Sequence, residues 1–239
     1  MTPLADLSVF SGALEFMRDN AGLLANKTAE HIALSAAAVG VALLVALPIG
    51  LGLGHLRRYS FVAISISNVG RALPTLAVIA IGVVFLPVGF TVVLISLVIL
   101  AVPPILTNAY VGVSEVDADV VEAARGMGMT EREILRRIEL PLATPLLFSG
   151  VRTAVVFVVA SATIAAIAGG GGLGDIIVNQ ASYGIDGVIA ASILVSVLAF
   201  ACDGVVALVQ RLVTPRPLRG RHPDDTMLVA EPGGVKAGR

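Results

Sequence analysis

Long uncharged segments alternate with short polar segments along the chain. No charged residue occurs from 72 to 114 or from 153 to 174. A helix needs about 20 apolar residues to cross the hydrocarbon core of a bilayer, and a charge at its centre is costly. The pattern therefore predicts an all-α integral membrane protein with a five-span core. The predicted spans cover about residues 31–56, 61–86, 90–111, 146–168 and 188–209.

The spans divide the chain into three parts. Residues 1–30 carry apolar side chains near helical spacing with acidic residues between them, which predicts an external amphipathic leader. A loosely ordered leader is the alternative. Residues 31–213 are the predicted transmembrane domain. The tail, residues 214–239, is rich in Pro, Gly, Arg and Asp, and we predict that it is disordered in the cytoplasm.

The main polar interruption, residues 115–145, lies between the third and fourth predicted spans. Asp119 is placed to cap a short helix, which Gly126 and Gly128 would end because glycine adopts turn conformations at little cost. We predict a helix–turn–helix segment at the membrane surface, and we call residues 115–145 the elbow.

The second helix of the elbow has its own start signal. Thr130 followed three residues later by Glu133 is a capping-box pattern. Its apolar stripe consists of Ile134, Leu135 and Ile138. Pro141 is expected to stop this helix, because proline lacks the N–H that the helix interior requires.

Basic residues in short loops indicate the orientation, since they favour the cytoplasmic side. The loops opposite the elbow, 87–89 and 169–187, contain no Lys or Arg. Five spans with the elbow inside then place the N-terminus outside and the C-terminus in the cytoplasm. The basic residues on the predicted cytoplasmic side are Arg57, Arg58, Arg132, Arg136, Arg137, Arg211, Arg216 and Arg219.

Prolines interrupt three predicted spans, at Pro48, Pro74 and Pro103–Pro104. Each proline removes a helical hydrogen bond, and the freed carbonyl needs another partner in lipid. The interruptions fit either a gated pathway or bends that serve packing.

Four polar residues fall within the spans, and a position facing lipid would be costly for them. Arg71 fits the translocation cavity or a subunit interface; alternatively it pairs with Asp203 or extends toward the inner surface. Arg152 is expected to face the cytoplasm or the elbow. The polar residues of the spans are Asn68, Arg71, Asn108 and Asp203. The predicted pathway or gate residues are Asn68, Arg71, Pro74, Asn108, Gly171, Gly172 and Gly174.

The glycine-rich run at residues 169–174 is similar in spacing to phosphate-binding loops, yet no Gly-Lys-Ser/Thr follows it. We interpret it as a flexible hinge at the outer mouth, with Asp175 capping the helical stretch 176–180. The chain has two lysines in total and no Walker motif, so ATP hydrolysis is expected to occur in another chain.

Composition argues against several other functions. Only 14% of the residues are charged, and the basic ones are divided among loops, so no nucleic-acid partner is predicted. The three histidines and the one cysteine show no metal-ligand spacing. We therefore predict no catalytic group, no metal site and no bound cofactor, and hence no enzyme activity in this chain.

Seven residues of the elbow carry a resemblance to a known family. Their spacing resembles the EAA signature of ABC-importer permease subunits with a type I core. The resemblance implies that the elbow holds the coupling helix, which docks on a separate ATPase subunit that uses ATP and Mg. The matching residues are Glu122, Ala123, Ala124, Gly128, Ile138, Leu140 and Pro141.

A narrower resemblance is carried by residues 67–213, in the stretches 68–76, 104–108, 122–145, 150–154 and 171–175. These stretches resemble the permeases for osmoprotectants such as glycine betaine, choline, carnitine or proline betaine. This implies a complex with an external substrate-binding protein, two ATPases and a second permease, identical or related, in the cell membrane. Quaternary ammonium groups are often bound by aromatic cages. The chain has no Trp and three dispersed tyrosines, which favours selectivity in the binding protein.

Two alternatives remain open from the sequence. One is an ABC permease for another small solute, such as an amino acid. The other is a secondary transporter, which would need an intramembrane ion relay and usually shows internal repeats. Asp203 is the one acidic residue that fits such a relay, and the sequence shows no repeat.

Overall fold

A computed structural model describes residues 3–57, 61, 65 and 74–214. These residues form helices and their connections, with no strand among them. The α-helices are α1 (Pro3–Asp19), α2 (Ala21–His55), α3 (Thr75–Phe85), α4 (Phe90–Ser114), α5 (Ala118–Gly126), α6 (Glu131–Ile134), α7 (Leu140–Ala165), α8 (Gly174–Val178) and α9 (Gln180–Val213). A π-helical turn, Leu135–Glu139, joins α6 to α7, and a 3₁₀ turn, Ala166–Ala168, follows α7.

Four described helical segments are long and apolar enough to cross a membrane. This confirms the predicted all-α membrane class. The predicted span 61–86 lies partly outside the described residues; its described part includes α3, an apolar helix of 11 residues. The four candidate spans are Ala21–His55, Phe90–Ser114, Glu131–Ala168 and Gln180–Val213.

The helices extend beyond the predicted span boundaries. α2 begins ten residues before position 31, so residues 21–30 of the predicted leader belong to the helix of the first span. Alanine, leucine, lysine and glutamate in this segment favour helix, and no glycine or proline after Gly22 interrupts it before Gly40. At the other end of the chain, α9 begins at Gln180 and bends at Gly184, whose φ is 67°. Hydropathy locates the apolar part of a helix, not its ends.

A stripe of small residues joins α2 to α4. Ala38, Ala42, Ala46, Gly50 and Gly54 recur at intervals of four and are all buried. Residues four apart lie on one helix face, and small residues let two helix backbones approach closely in a membrane. A Cβ atom at Gly50 would lie only 2.6 Å from the Cβ of Ala109.

A second close crossing joins α4 to α7. A Cβ atom at Gly150 would lie 2.6 Å from the Cβ of Asn108 and 2.6 Å from the carbonyl oxygen of Pro104. Buried residues of α2, α4 and α7 form the main hydrophobic core, with Ile79 of α3 at its side. The three long helices are therefore held together where their side chains are smallest.

The bundle has two chemically different ends. His55, Glu139 and the elbow lie at one end. At the other, the N–H of Gly89 donates to the carbonyl of Ala168 at 2.8 Å, beside the glycine-rich run. A separate hydrophobic cluster at this end includes Leu24, Leu173 and Ile176, with Phe16 of α1 packed against it. We call these the elbow end and the glycine end.

Helices continue through most of the prolines that were predicted to interrupt them. Pro48 lies inside α2, and Pro103 and Pro104 lie inside α4. Pro74 differs, because it is the N-cap residue of α3 and so begins a helix. The choice between a gate and simple packing stays open for all of them.

Candidate functional site

The first elbow helix, α5, begins differently from the prediction. Asp117, not Asp119, is its N-cap residue, and the Asp117 carboxylate accepts a hydrogen bond from the backbone N–H of Asp119 at 2.9 Å. Asp119 lies in the first turn, where a negative charge is favoured by the helix dipole. Both residues carry a carboxylate that can accept from a backbone N–H at a helix N-terminus. The prediction of an aspartate N-cap is therefore correct, but the residue that it named is wrong.

The second elbow helix begins as predicted. The Thr130 hydroxyl accepts from the backbone N–H of Glu133 at 3.4 Å, and the Thr130 N–H donates to the Glu133 carboxylate at 3.0 Å. This reciprocal pair is the capping box. Gly128 precedes it with a φ of 84°, in the left-handed region that favours glycine. The turn between the two helices therefore has the predicted chemistry.

Pro141 does not stop the second helix. The chain stays helical from Glu131 to Ala168, and Pro141 lies in the first turn of α7. Proline has no N–H to donate, and it is tolerated here because the hydrogen-bond pattern of the helix changes immediately before it. The π-helical turn Leu135–Glu139 changes the hydrogen-bond register just before it. The elbow is thus continuous with a membrane span.

The elbow has a small core of its own, and the seven EAA-like residues form three groups that differ in burial. Ala124 is buried in this core and Ile138 packs against it. Glu122, Ala123 and Gly128 are exposed on the outside of the elbow. Leu140 and Pro141 are half-buried where the elbow meets α7. The exposed group is available to a partner, and the buried group fixes its position.

Two ion pairs cross the elbow surface. Arg125 donates twice to Glu131, from Nε at 2.8 Å and from Nη2 at 3.1 Å. The Glu131 carboxylate raises the pKa of the Arg125 guanidinium above its usual value. Arg137 lies 3.8 Å from Glu133 in an exposed i,i+4 pair. The bidentate pair ties the end of α5 to the start of α6, whereas exposed single pairs contribute little.

One contact of the elbow was missed by the sequence analysis. His55 at the end of α2 lies 2.5 Å from the carboxylate of Glu139, which is only 1% exposed. The sequence offers one indirect signal: Glu139 stands between Ile138 and Leu140 in an apolar segment. An acid in such a segment needs a partner, but the partner is 84 positions away.

The polar residues of the spans are paired differently from the prediction. Asp203 accepts two hydrogen bonds from Arg152, from Nε at 2.7 Å and from Nη2 at 2.6 Å. Arg152 therefore faces α9 and not the elbow, because a carboxylate on the neighbouring helix offers it a bidentate partner. Asn68 and Arg71 lie outside the described residues. The Arg152–Asp203 pair lines a cavity of about 390 Å³.

Removing one member of this pair is expected to destabilise the protein more than removing both. Asp203→Leu leaves the Arg152 guanidinium without its partner, whereas the double variant with Arg152→Leu replaces the pair with apolar groups. Thermal unfolding in detergent should give a lower Tm for Asp203→Leu than for the double variant. A Tm for the double variant equal to or below that of Asp203→Leu would contradict the prediction.

The other predicted pathway residues lie in different places. Asn108 is at the α4–α7 crossing, and its amide donates to the carbonyl of Pro104 at 2.8 Å. Pro74 is exposed at the start of α3. Gly171, Gly172 and Gly174 lie together at the glycine end. The described members of the set therefore do not form one cluster, and their role in a pathway stays a prediction.

The glycine-rich run is held by polar contacts with α2. The N–H of Gly172 donates to the Glu30 carboxylate at 3.0 Å, and Lys27 lies 2.9 Å from Glu30. Asp175 accepts from Lys27 at 2.7 Å and makes no side-chain cap of α8, so its predicted capping role is wrong. The Asp175 carboxylate binds Lys27 and not the backbone N–H groups at the start of α8, because a hydrogen bond between opposite charges is stronger than one to a neutral N–H.

Glycine is required at these positions for two physical reasons. Gly171 and Gly172 have φ values of 72° and 75°, in the left-handed region. A Cβ atom at Gly174 would overlap the carbonyl oxygen of Thr163, although the φ of Gly174 is ordinary. Backbone conformation and close packing explain why these positions are glycine, without any need to assume that the segment moves. The predicted hinge stays a prediction.

Comparison with known proteins identifies the family. The model of the binding-protein-dependent transport system inner membrane component family matches residues 38–215. The chain belongs to this family. The match includes α4, the whole elbow, α7, the glycine-rich run and α9, so it covers every described feature of the candidate site except the first part of α2.

Relatives within the family have similar lengths. The chain is 36% identical over 208 residues to the glycine betaine/carnitine/choline transport system permease protein OpuCB of Bacillus subtilis, with 87% of this chain and 96% of the relative covered. It is 37% identical over 203 residues to the choline transport system permease protein OpuBB of the same organism, covering 84% and 94%. The osmoprotectant import permease protein OsmW of Salmonella typhimurium is 34% identical, covering 86% and 99%.

A solved structure shows the same fold. The described fold is similar to a chain of the MetNI methionine ABC transporter in an inward-facing conformation, with a TM-score of 0.72 and 22% identity. The similarity covers 81% of this chain and 97% of that one. Together with the family, it establishes a multi-pass membrane permease component of ABC-transporter type. The elbow therefore belongs to a membrane subunit of a binding-protein-dependent transport system.

Proposed function

We propose that this chain is the permease subunit of an ABC importer that moves a small osmoprotectant into the cell. The substrate class would be glycine betaine, choline, carnitine or proline betaine. The names of the three relatives support this class, since each refers to the transport of osmoprotectants or of members of that class. The main structural support is the elbow, whose exposed Glu122, Ala123 and Gly128 are held by a packed core.

The elbow is the proposed docking site of a separate ATPase. Its exposed residues offer charge and a fixed backbone turn, and its core and capping box make it rigid enough to transmit force. ATP and Mg would be bound by that partner, and this chain would hold no cofactor and catalyse no reaction. In the proposed orientation the elbow end faces the cytoplasm, with the N-terminus outside and the C-terminus inside.

The glycine end would then face the external substrate-binding protein. A second permease, identical or related, would complete the pathway. We place solute selectivity mainly in the binding protein, because the described tyrosines are far apart: Tyr110 is near the elbow end and Tyr183 near the glycine end. An apolar groove of about 530 Å³ between α2, α7 and α9 also offers little that would bind a cation, with Ser35 and Cys202 among its few polar lining residues.

The decisive experiment is ATP hydrolysis by the complex in liposomes, with the chain, its ATPase and its binding protein reconstituted together. We expect binding protein loaded with glycine betaine to stimulate hydrolysis and uptake. Stimulation only by a binding protein loaded with another solute, such as an amino acid, would keep the mechanism and change the substrate. An intact complex without ATP-dependent uptake would favour a secondary transporter.

Glu122→Ala is expected to lower ATP-driven uptake strongly, by weakening the binding of the ATPase, while the chain still inserts into the membrane. The side chain is exposed, so its loss should leave the elbow core unchanged and remove a docking contact. Losing about 1.4 kcal/mol of docking energy lowers the affinity for the ATPase roughly tenfold. Gly128→Ala should have a similar effect through backbone strain, because its φ is 84°.

Uptake and co-purification of the ATPase measure both effects. Glu115→Ala is the matched control, since Glu115 is also an exposed acid of the elbow but lies outside the EAA-like motif. Normal uptake by both motif variants would exclude the proposed docking role.

A further inference from the structure

The end of α2 touches the elbow through three polar contacts. The Nδ1 atom of His55 lies 2.5 Å from Oε2 of Glu139, and its Nε2 atom lies 3.3 Å from Oε2 of Glu131. Two residues later, Nη2 of Arg57 donates to the carbonyl oxygen of Val116 at 2.5 Å. The three acceptors belong to different parts of the elbow, so the end of α2 holds the elbow at its start, at α6 and at the π-helical turn.

The Glu139 side chain contacts His55 and is shielded from solvent. It is 1% exposed, and burying a carboxylate is costly unless it is paired and hydrogen-bonded. Among the described residues, His55 is the hydrogen-bond partner of its carboxylate. An ionised carboxylate only accepts hydrogen bonds, so with Glu139 in this form Nδ1 of His55 is the donor.

The π-helical turn explains how Glu139 reaches this position. In an unbroken α-helix a residue five positions after Ile134 would point roughly 140° away from it. Ile134 is fully buried in the elbow core, and Glu139 is buried as well. The wider turn at Leu135–Glu139 accommodates an additional residue, which brings both side chains to buried positions. The local distortion therefore serves the contact with His55.

α2 does not adjoin the elbow along the chain, in contrast to α7. α7 follows the elbow within one helical segment, Glu131–Ala168. Among the described residues, the hydrogen bonds and ion pairs between α2 and the elbow are those of His55 and Arg57. Any displacement of the elbow that is to reach α2 directly must pass through these side chains or through packing contacts.

We propose that His55 is a positioning residue of the transport cycle, which passes displacement of the elbow to α2 through its contact with Glu139. The inference rests on the proposed function, since it assumes that an ATPase moves the elbow. His55 acts here through Glu139 and touches neither solute nor nucleotide. Its loss should uncouple ATP hydrolysis from uptake, not prevent hydrolysis.

The test compares variants of the reconstituted complex by the number of solute molecules taken up per ATP hydrolysed. We expect His55→Leu to lower this ratio roughly tenfold or more, within the range typical of coupling between sites. His55→Asn should restore much of the ratio, because its amide can replace Nδ1–H as the donor to Glu139. Leu56→Ala is the matched control, since Leu56 is the next residue and is 59% exposed.

A double variant distinguishes a loss of coupling from a loss of folding. His55→Leu leaves a buried carboxylate unpaired, whereas His55→Leu with Glu139→Leu replaces the pair with apolar groups. We expect the double variant to assemble with the ATPase and to show the same low ratio as His55→Leu, because the two residues act as a unit.

Two failures can be told apart. A ratio in the double variant and in His55→Leu equal to that of Leu56→Ala would overturn the role of His55 and leave the proposed function intact. A wild-type complex without ATP-driven uptake would overturn the proposed function, and the inference with it.

Discussion

Gly50→Leu is expected to prevent α2 from packing on α4 and to abolish accumulation of the folded protein. A Cβ atom alone would lie 2.6 Å from the Cβ of Ala109 and 2.7 Å from the carbonyl oxygen of Leu106. The second contact is with backbone, which cannot turn away as a side chain can. We expect a loss of stability at or above the upper end of the ~1–3 kcal/mol that overpacking usually costs.

The measurement is the amount of monodisperse protein extracted from membranes, followed by its Tm in detergent. Gly52→Leu provides the control, because Gly52 lies on the same helix two residues away, with no atom within 4 Å of the position that a Cβ would take there. Equal yield and Tm for the two variants would show that the small-residue stripe does not determine the helix contact.

Gly174→Ala is expected to eliminate uptake by displacing the glycine-rich run from α7. The added methyl group would overlap the carbonyl oxygen of Thr163 and would lie 2.8 Å from the Cβ of Ala166. Because both contacts belong to the end of α7 and the turn that follows it, either α8 or that end must move. Such overpacking costs about 1–3 kcal/mol, and the resulting shift would also separate Asp175 from Lys27.

Uptake by the reconstituted complex and the Tm of the isolated chain report this effect together. Gly204→Ala in α9 is a suitable comparison, since no atom lies within 4 Å of the position of its Cβ. Helix propensity favours alanine there by about 1 kcal/mol, so that variant should be as stable as the wild type or more so. Wild-type uptake by Gly174→Ala would mean that the contact with Thr163 relaxes without consequence.

Local chemistry made the elbow predictable. The capping box at Thr130 and Glu133, and the turn at Gly128, depend on residues within a few positions of one another. The membrane class was predicted from the long uncharged segments, and this prediction needs no knowledge of how the helices pack. The small-residue stripe of α2 is also visible as a repeat of four, but an interpretation based on hydropathy counts Ala38 and Leu44 alike as apolar and does not consider their sizes.

Features that depend on distant residues were not predictable in this way. The partner of Asp203 is 51 positions away, and the partner of Glu139 is 84 positions away. Pro141 was misjudged because the preceding π-helical turn follows from burial of Glu139 against another helix, not from a local preference. Sequence reasoning was therefore most accurate for the membrane class and for the capping box at Thr130, and least accurate for contacts between helices.

The helical path from the elbow into the membrane is unbroken, so the second elbow helix and α7 form one rod that crosses α4 closely at Gly150. Glu131 lies 19 residues before that crossing and Ala165 lies 15 residues after it, so the two arms measure about 28 Å and 22 Å at 1.5 Å per residue. Gly174 rests on the carbonyl of Thr163, near the tip of the shorter arm. An ATPase docked on the elbow, as proposed, would thus act on the opposite end of the bundle through one continuous helical segment, with no chemical signal in between.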